Sequence, residues 1–537
     1  MKNHIPSALT LAVSLVLAQA ASAQFQGPST GSTPYLLPTG PNAAGITTTS
    51  ILTVDNTGAN PDDSIGGYGM VGIPDGLGVV DNNPGNPGVG TFTVFMNHEL
   101  GNTQGVVRAH GSAGAFVSQW TINKSDLQVT AGQDFITSAS NVFTWDGASF
   151  VSGTTAFNRL CSADLAPSSA FFHAGTGYNG SIFMNGEETS PPFSTDYGRA
   201  FAHIVGGTDA GKAYELPSLG KISWENAVAN PFGQNKTIVM GLDDDGVTDS
   251  VFHMYVGNKT NTGNAVERAG LHGGTTYALT VNGAAGFSEL RGVSPDAYTG
   301  FGGTGGVGNG TFSMVSQGVV TNMTGIALES QTEVADGISQ FRRIEDGVWD
   351  KDDSSVFYFV TTDGFSLTNG RSRLWKLDFS DVANPEAGGS ISMLLEGTEG
   401  GQMFDNMTQD HNGDIILQED VGNQAHNGKV WRYKIGSDTI ELMLQHDPAR
   451  FAPAVLPYNQ DEEATGVVDV TSLFTSTPLP GEGYYLMADQ AHYTTGITTA
   501  QVQGGQLFLV HQVPEPGTAV SLLGGASMLL GLRRRRA

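Results

Sequence analysis

Hydrophobic and polar positions along this chain follow a phrase that occurs six times. An apolar strand runs into a polar or acidic cluster, and a second, aromatic-rich strand follows. The copies are TFTVFMNHE with FVSQWTI, SIFMNGEE with RAFAHIV, TIVMGLDDD with VFHMYVG, SVFYFVTTDG with RLWKLDF, DIILQED with KVWRYKI, and YYLMADQ with QLFLVHQ. Short runs of Val, Ile, Thr, Phe and Tyr bounded by Gly, Asn and Asp are strand-and-turn patterns, and stretches of helical period are scarce. A unit recurring along a chain marks an array. Strands with polar ends at equivalent places predict an all-β fold, a six-bladed β-propeller with irregular insertions, its blades set around a central channel. Glu99, Glu187, Glu188, Asp243, Glu419 and Asp489 would then crowd around one axis. Carboxylates gathered in that way repel one another unless cations hold them, so the pattern points to a metal site.

A second pattern precedes three of the copies: Glu345-Asp346-Gly347-Val348-Trp349-Asp350, Asp405-Asn406-Met407-Thr408-Gln409-Asp410, and Glu463-Ala464-Thr465-Gly466-Val467-Val468-Asp469. Each is an acid, a few residues of strand character, and Asp at a turn. If the first strand of each blade lines the channel, Glu345, Asp405 and Glu463 occupy equivalent inner positions. Residues 24–60 are rich in Gly, Pro, Thr and Asn and predict an extended arm into the first blade; Gly-rich 280–325 predicts an insertion between blades, and 450–480 a connection between the last two.

The ends of the chain are sorting signals. Lys2, the short apolar core LTLAVSLVLA and Ala21-Ser22-Ala23 make residues 1–23 a signal peptide with a small-residue cleavage site. At the other end, residues 513–537 hold Pro514-Glu515-Pro516, an apolar stretch and Arg533 to Arg536. This resembles the PEP-CTERM sorting tail of Gram-negative bacteria, whose removal by an exosortase-type enzyme the resemblance implies. The arginines would keep the tail's end cytoplasmic. The expectation is an exported protein, periplasmic, at the cell surface or secreted, touching the membrane only through a tail that anchors it before processing. Residues 24–512 form the body. Its single cysteine, Cys161, excludes an internal disulfide. A net charge of −27 argues against nucleic acid and anionic membrane as partners and permits calcium.

Candidate chemistry is spread along the body. Glu187-Glu188 ends a strand, where adjacent acids point to opposite faces, so at most one serves a given site. Asp243-Asp244-Asp245-Gly246-Val247-Thr248-Asp249 sets oxygen ligands around a glycine turn, without the spacing of a helical calcium loop. Arg342-Arg343-Ile344-Glu345 pairs a planar fork for phosphate with an acid two residues on. Cys161 is either a small buried hydrophobe or a thiolate ligand for iron or another transition metal. No nucleophile elbow, phosphate-binding loop, C-x-x-C or H-E-x-x-H occurs. His98 and His492 read as structural or supporting groups.

Taken in order, these residues resemble a family. Phe404-Asp405-Asn406-Met407-Thr408, then Gly413-Asp414-Ile415-Ile416-Leu417-Gln418-Glu419-Asp420, are similar to a pattern of PhoX-type alkaline phosphatases. Arg343-Ile344-Glu345 is similar to that family's Arg-Pro-Glu, with Ile344 in place of proline. Asn97-His98-Glu99, Cys161, Glu187-Glu188, Leu219-Gly220 with Glu225, and Gly241 to Asp245 follow in the family's order. Pro167 to Phe171 departs from the family's run after its cysteine, and Trp224 stands where the family has histidine. The resemblance implies a six-bladed propeller and an iron–calcium cluster that hydrolyses phosphate monoesters. It further implies Cys161 as an iron ligand, Glu187, Glu188, Glu225, Glu345, Asp405, Asn406 and Glu419 as metal residues, and Arg343 with Glu345 in the catalytic machinery. Two other functions fit the same pattern: a non-catalytic, calcium-stabilised surface propeller that binds extracellular polysaccharide or protein, and a phytase-like or lactonase-like propeller hydrolase.

Overall fold

The structure, a computed structural model, describes residues 23–55, 62–246, 250–282, 289, 309–334, 338–365, 371–451 and 455–513. Nearly all of both sorting segments, the Val247-Thr248-Asp249 end of the acidic loop, and most of the Gly-rich stretch from 283 to 308 lie outside the described residues.

The repeated phrases become six antiparallel strand pairs. In chain order these are Thr91–His98 with Phe116–Asn123, Ile182–Glu187 with Gly198–Ile204, Lys236–Asp243 with His253–Asn258, Val356–Thr361 with Arg373–Phe379, Ile415–Glu419 with Lys429–Lys434, and Gly483–Ala491 with Gly504–Gln512. Val356–Thr361 and Ile415–Glu419 are buried along their whole length. Strands covered on both faces read as continuous apolar runs rather than as alternation, which is why the phrase is visible.

One further strand lies in front of each pair. These inner strands are Pro74–Asp81, Leu160–Ala166, Trp224–Ala229, Ile344–Trp349, Phe404–Gln409 and Glu462–Asp469, each antiparallel to the first strand of its pair. They stand side by side in chain order, and the last returns against the first, so the inner strands close a ring. The chain is thus nearly all β. Its helices are short, Gly325–Val334 being the longest described, and none among the described residues is long and apolar enough to cross a membrane. The core sits between neighbouring sheets. Trp349, Phe357, Phe359 and Trp375 pack with Met240, Leu242 and Phe252 between the third and fourth units, and Ile416 and Val430 pack with Met487 and Phe508 between the fifth and sixth.

Two expectations about connections change and a third gains detail. Residues 24–60 do not lead into the first unit. Ile46–Val54 pairs with Gly504–Gln512 of the sixth, and Leu36–Pro38 pairs with Thr439–His446 of the fifth. The reason is physical: the last sheet would otherwise end on an unpaired edge, and the N-terminal strand completes it. Residues 450–480 connect the last two units and also contain the sixth inner strand, the one that the lead-in Glu463 to Asp469 predicts. Within the expected insertion, Asn309–Gly318 is a strand. It pairs with Thr275–Val281 and with Gly389–Leu395, joining the third and fourth units in one nine-stranded sheet.

The ring is tight enough to require glycine at Gly76. A Cβ there would lie 2.3 Å from Ala163 N and 2.6 Å from Ala163 Cβ on the adjoining inner strand. Those are backbone and short side-chain atoms that cannot swing aside. Gly76→Ala is expected to cost about 2–3 kcal/mol by overpacking, read as a lower denaturant midpoint at unchanged slope. An unchanged midpoint would mean that the two inner strands do not approach so closely.

Candidate metal centre

The second residue of every inner strand is a potential metal ligand: Asp75, Cys161, Glu225, Glu345, Asp405 and Glu463. Near each of these ends the pairing register slips against the neighbouring strand. A bulge re-aims a side chain and is over-represented at barrel rims and beside active sites; here it turns six equivalent positions to one mouth of the ring. Four of the residues two places earlier, Ile73, Arg159, Arg343 and Met403, have positive φ between 47° and 58°. That conformation is costly for side chains with a Cβ, and its recurrence shows the chain being turned inward in the same way in four units.

The ends of the paired strands supply the rest. Glu99, Arg159, Cys161, Glu188, Glu225, Asp244, Arg343, Glu345, Asp405, Asp420, Glu463 and His492 line one cavity of about 250 Å³, with Phe365 at its wall. Asp75 adjoins it, accepting from Cys161 Sγ at 3.3 Å and from Gln490 Nε2 at 3.2 Å. Ligand atoms converge in three overlapping groups, each within 4.8 Å: Asp75, Glu99 and Cys161; Cys161, Glu188 and Glu225; Glu225, Glu345 and Asp405.

Two arginines hold part of this charge. Arg159 reaches Glu99 Oε1 and Glu188 Oε2, each at 2.6 Å. Arg343 donates from Nε to Asp244 Oδ1 at 2.9 Å and from Nη2 to Asp244 Oδ2 at 2.6 Å, and its Nη2 lies 3.1 Å from Glu345 Oε1. Its guanidinium sits 4.3 Å from the centre of the Phe365 ring. Arg343 Nη1 is buried and donates to nothing among the described residues. Asp405 Oδ1 is buried and accepts no hydrogen bond there, and Glu345 Oε1 has its ion pair with Arg343 alone. Buried carboxylate oxygens without donors are expensive unless something else satisfies them.

The electrostatics agree. Burial, then the nearby charge of Glu99, raises Asp75 to about 8. Burial raises Glu188 to about 8 against the pull of Arg159. Burial and neighbouring carboxylates carry Glu225, Glu345, Asp405 and Glu463 well above the usual carboxylate range, although Arg343 pulls Glu345 down. Burial and then Asp75 push the Cys161 thiol up. Without cations this mouth keeps protons that bound cations would displace. The donor set fits that role: hard carboxylate oxygens suit calcium, and one thiol beside them suits a transition metal such as iron.

The structure brings together Cys161, Glu188, Glu225, Arg343, Glu345 and Asp405, and leaves out three other residues expected at the metal. Glu187 is turned away, held by Arg199 Nε at 2.8 Å and Nη2 at 2.7 Å. Glu419 accepts from Trp431 Nε1 and His426 Nε2, both at 2.8 Å. Asn406 lies behind the acidic layer, donating to Asp75 Oδ1 at 3.5 Å and to Ser162 Oγ. Two more of the strand-end acids also face away: Asp243 accepts from Ser223 N and Val251 N, and Asp489 pairs with His446 at 2.5 Å. Strand alternation decides the four strand-end acids, because the inward position belongs to the next residue, Glu188, Asp244, Asp420 or Gln490, and in the fifth case to the preceding one, Asp405. The sequence offers Asp244 and Asp420 only within the acidic loop and the Glu419-Asp420 pattern, and does not mark Asp75 and Arg159. An Arg-x-ligand spacing shared by Arg159-Leu160-Cys161 and Arg343-Ile344-Glu345 was the signal for the last.

No known family profile matches the sequence, and no curated protein matches it. Among solved structures, a puromycin hydrolase mutant with a bound ligand covers 78% of this chain and 58% of its own at 11% identity, with a TM-score of 0.22, too low to carry an argument. Pseudomonas fluorescens PhoX, in complex with vanadate, a transition-state analogue, matches with a TM-score of 0.56 at 11% identity over 87% of this chain and 95% of that one. The fold is PhoX-like.

Proposed function

We propose that this chain is an exported, six-bladed β-propeller whose acidic mouth is a metal-dependent phosphomonoesterase site. The observation that carries the reading is the union, in one cavity, of metal-ligand carboxylates with an arginine that has a buried, unused N–H group. Carboxylates alone would suit a structural cation. A guanidinium that already grips Asp244 and has no partner for Nη1 among the described residues suits an anion that arrives afterwards. The neighbour's vanadate supports the phosphoryl class, since this chain shares that protein's fold.

Glu188, Glu225, Glu345 and Asp405 would hold calcium, and Cys161 with Asp75 would hold iron. Bound there, the cations supply charge neutralisation and Lewis acidity for phosphoryl transfer to water. The chain's own residues do the rest. Arg343 orients the phosphoryl group through Nη1, while Asp244 and Phe365 fix the plane of its guanidinium. Asp346 accepts from Asn226 Nδ2 at 2.7 Å and Met407 N at 3.0 Å, so three inner strands keep their ligands in register. In the net reaction the bond from phosphorus to the ester oxygen breaks, a bond from phosphorus to the water oxygen forms, and the water proton leaves with the alcohol. The signal peptide, the PEP-CTERM-like tail and its exosortase-type processing belong to the same proposal, because an acidic, cation-loaded site suits a calcium-rich exterior.

The test is p-nitrophenyl phosphate hydrolysis by the purified protein supplied with calcium and iron, beside Glu345→Gln. Turnover in the parent, lost in the variant, is the expected result. Bound metal without turnover would leave a calcium-stabilised surface propeller as the function.

A further inference from the structure

Beside the metal cavity lies a second hollow of about 320 Å³, and the two share Arg159, Glu188 and Asp244. On its far side is Phe193, whose side chain is 89% exposed, the most exposed large hydrophobic residue described. Single exposed apolar residues are ordinary on a protein surface. This one is different in two respects: it lines a hollow that opens into the candidate site, and its loop is pinned. Ser190 O accepts from Phe193 N at 3.0 Å and from Ser194 N at 3.1 Å. Downstream, Tyr197 OH donates to Asp245 Oδ2 at 2.7 Å, and Asp196 pairs with Lys221 at 3.0 Å. The ring is therefore presented to solvent from a fixed turn.

Resting on the phosphatase reading above, we propose that this hollow is the leaving-group subsite, and that the leaving group is a nucleoside. Phe193 offers a flat apolar face on which a base stacks. Asn158, Thr189 and Ser190 line the hollow with neutral polar groups suited to sugar hydroxyls. Among the described lining residues the one cation, Arg159, is already bound to Glu99 and Glu188, which leaves a second anionic group without a counter-charge there. The substrate class is thus the nucleoside monophosphate, with its phosphate in the metal cavity and its base on Phe193; triphosphates and anionic sugar phosphates fit poorly.

The test is calorimetric binding of two non-hydrolysable phosphonates, that of adenosine and that of glycerol, to the metal-loaded protein, Phe193→Ala and Phe193→Trp. The parent is expected to bind the adenosine compound about tenfold more tightly than the glycerol compound. Phe193→Ala removes that preference and Phe193→Trp keeps it. Equal binding of the two by the parent, a preference that survives Phe193→Ala, or no binding of either overturns the subsite. Turnover of p-nitrophenyl phosphate is read separately: its absence, with the Phe193-dependent preference intact, overturns the phosphatase reading and leaves the nucleotide site standing. Because Phe193 is exposed, neither variant threatens the fold.

Discussion

Arg343→Ala is expected to lower kcat/KM for p-nitrophenyl phosphate about 10²–10³-fold, the usual effect of deleting one preorganised donor aimed at developing charge. Arg343 is the residue on which three features meet. Its backbone is held at a φ of 58°, its Nε and Nη2 are committed to Asp244, and Phe365 covers its face. Among the described residues Nη1 has no partner, which leaves it for a ligand. Arg343→Lys keeps the charge, but a compact ammonium cannot hold Asp244 with two hydrogen bonds and still present a third donor. It should recover less than about a tenth of the lost activity. The alternative explanation is loss of metal, since removing the guanidinium leaves Asp244 and Glu345 without their counter-charge. Metal content of each variant decides between them. Arg343→Ala with full metal and activity within threefold of the parent would remove Arg343 from the site's chemistry.

The repeated all-β pattern was readable from the chain because second strands such as Val356–Thr361 and Ile415–Glu419 are buried along their whole length and appear as apolar runs. The inner strands were readable only in part. Glu345-Asp346-Gly347, Asp405-Asn406-Met407 and Glu463-Ala464-Thr465 share an acid at one place, but Pro74-Asp75-Gly76 and Leu160-Cys161-Ser162 hold the same place with different neighbours. What makes them equivalent is closure of the ring, a long-range property. Register explains the remaining errors. Alternation says that one residue of Glu187-Glu188 or Glu419-Asp420 faces inward, yet the bulges of the inner strands, invisible in composition, set the phase. The N-terminal arm failed for a related reason: nothing local in Ile46–Val54 says that its partner is Gly504–Gln512, at the other end of the chain.

The metal-free protein is expected to lose stability as pH rises, the reverse of the usual rise away from acid. Asp75 and Glu188 are each raised to about 8 by burial and neighbouring charge, whereas in the unfolded chain they titrate as ordinary carboxyls near pH 4. Between those values the folded chain binds more protons than the unfolded one, so the slope of unfolding free energy against pH is negative. Their contribution is fully present below about pH 4 and is lost as pH passes through about 8. Each such group contributes about 1.4 kcal/mol per pH unit in that window, so the two together lose roughly 7 kcal/mol between pH 5 and pH 8. Calcium should cancel it, because cations bind the ionised carboxylates and release the retained protons. Thermal unfolding after chelation, repeated at pH 5 and pH 8 with and without added calcium, measures both effects. The expected pattern is a melting temperature that falls from pH 5 to pH 8 only in the chelated sample, with calcium raising it most at pH 8. A chelated protein as stable at pH 8 as at pH 5, and indifferent to calcium, would mean that the ring of carboxylates is satisfied without cations, and the metal centre would fall with it.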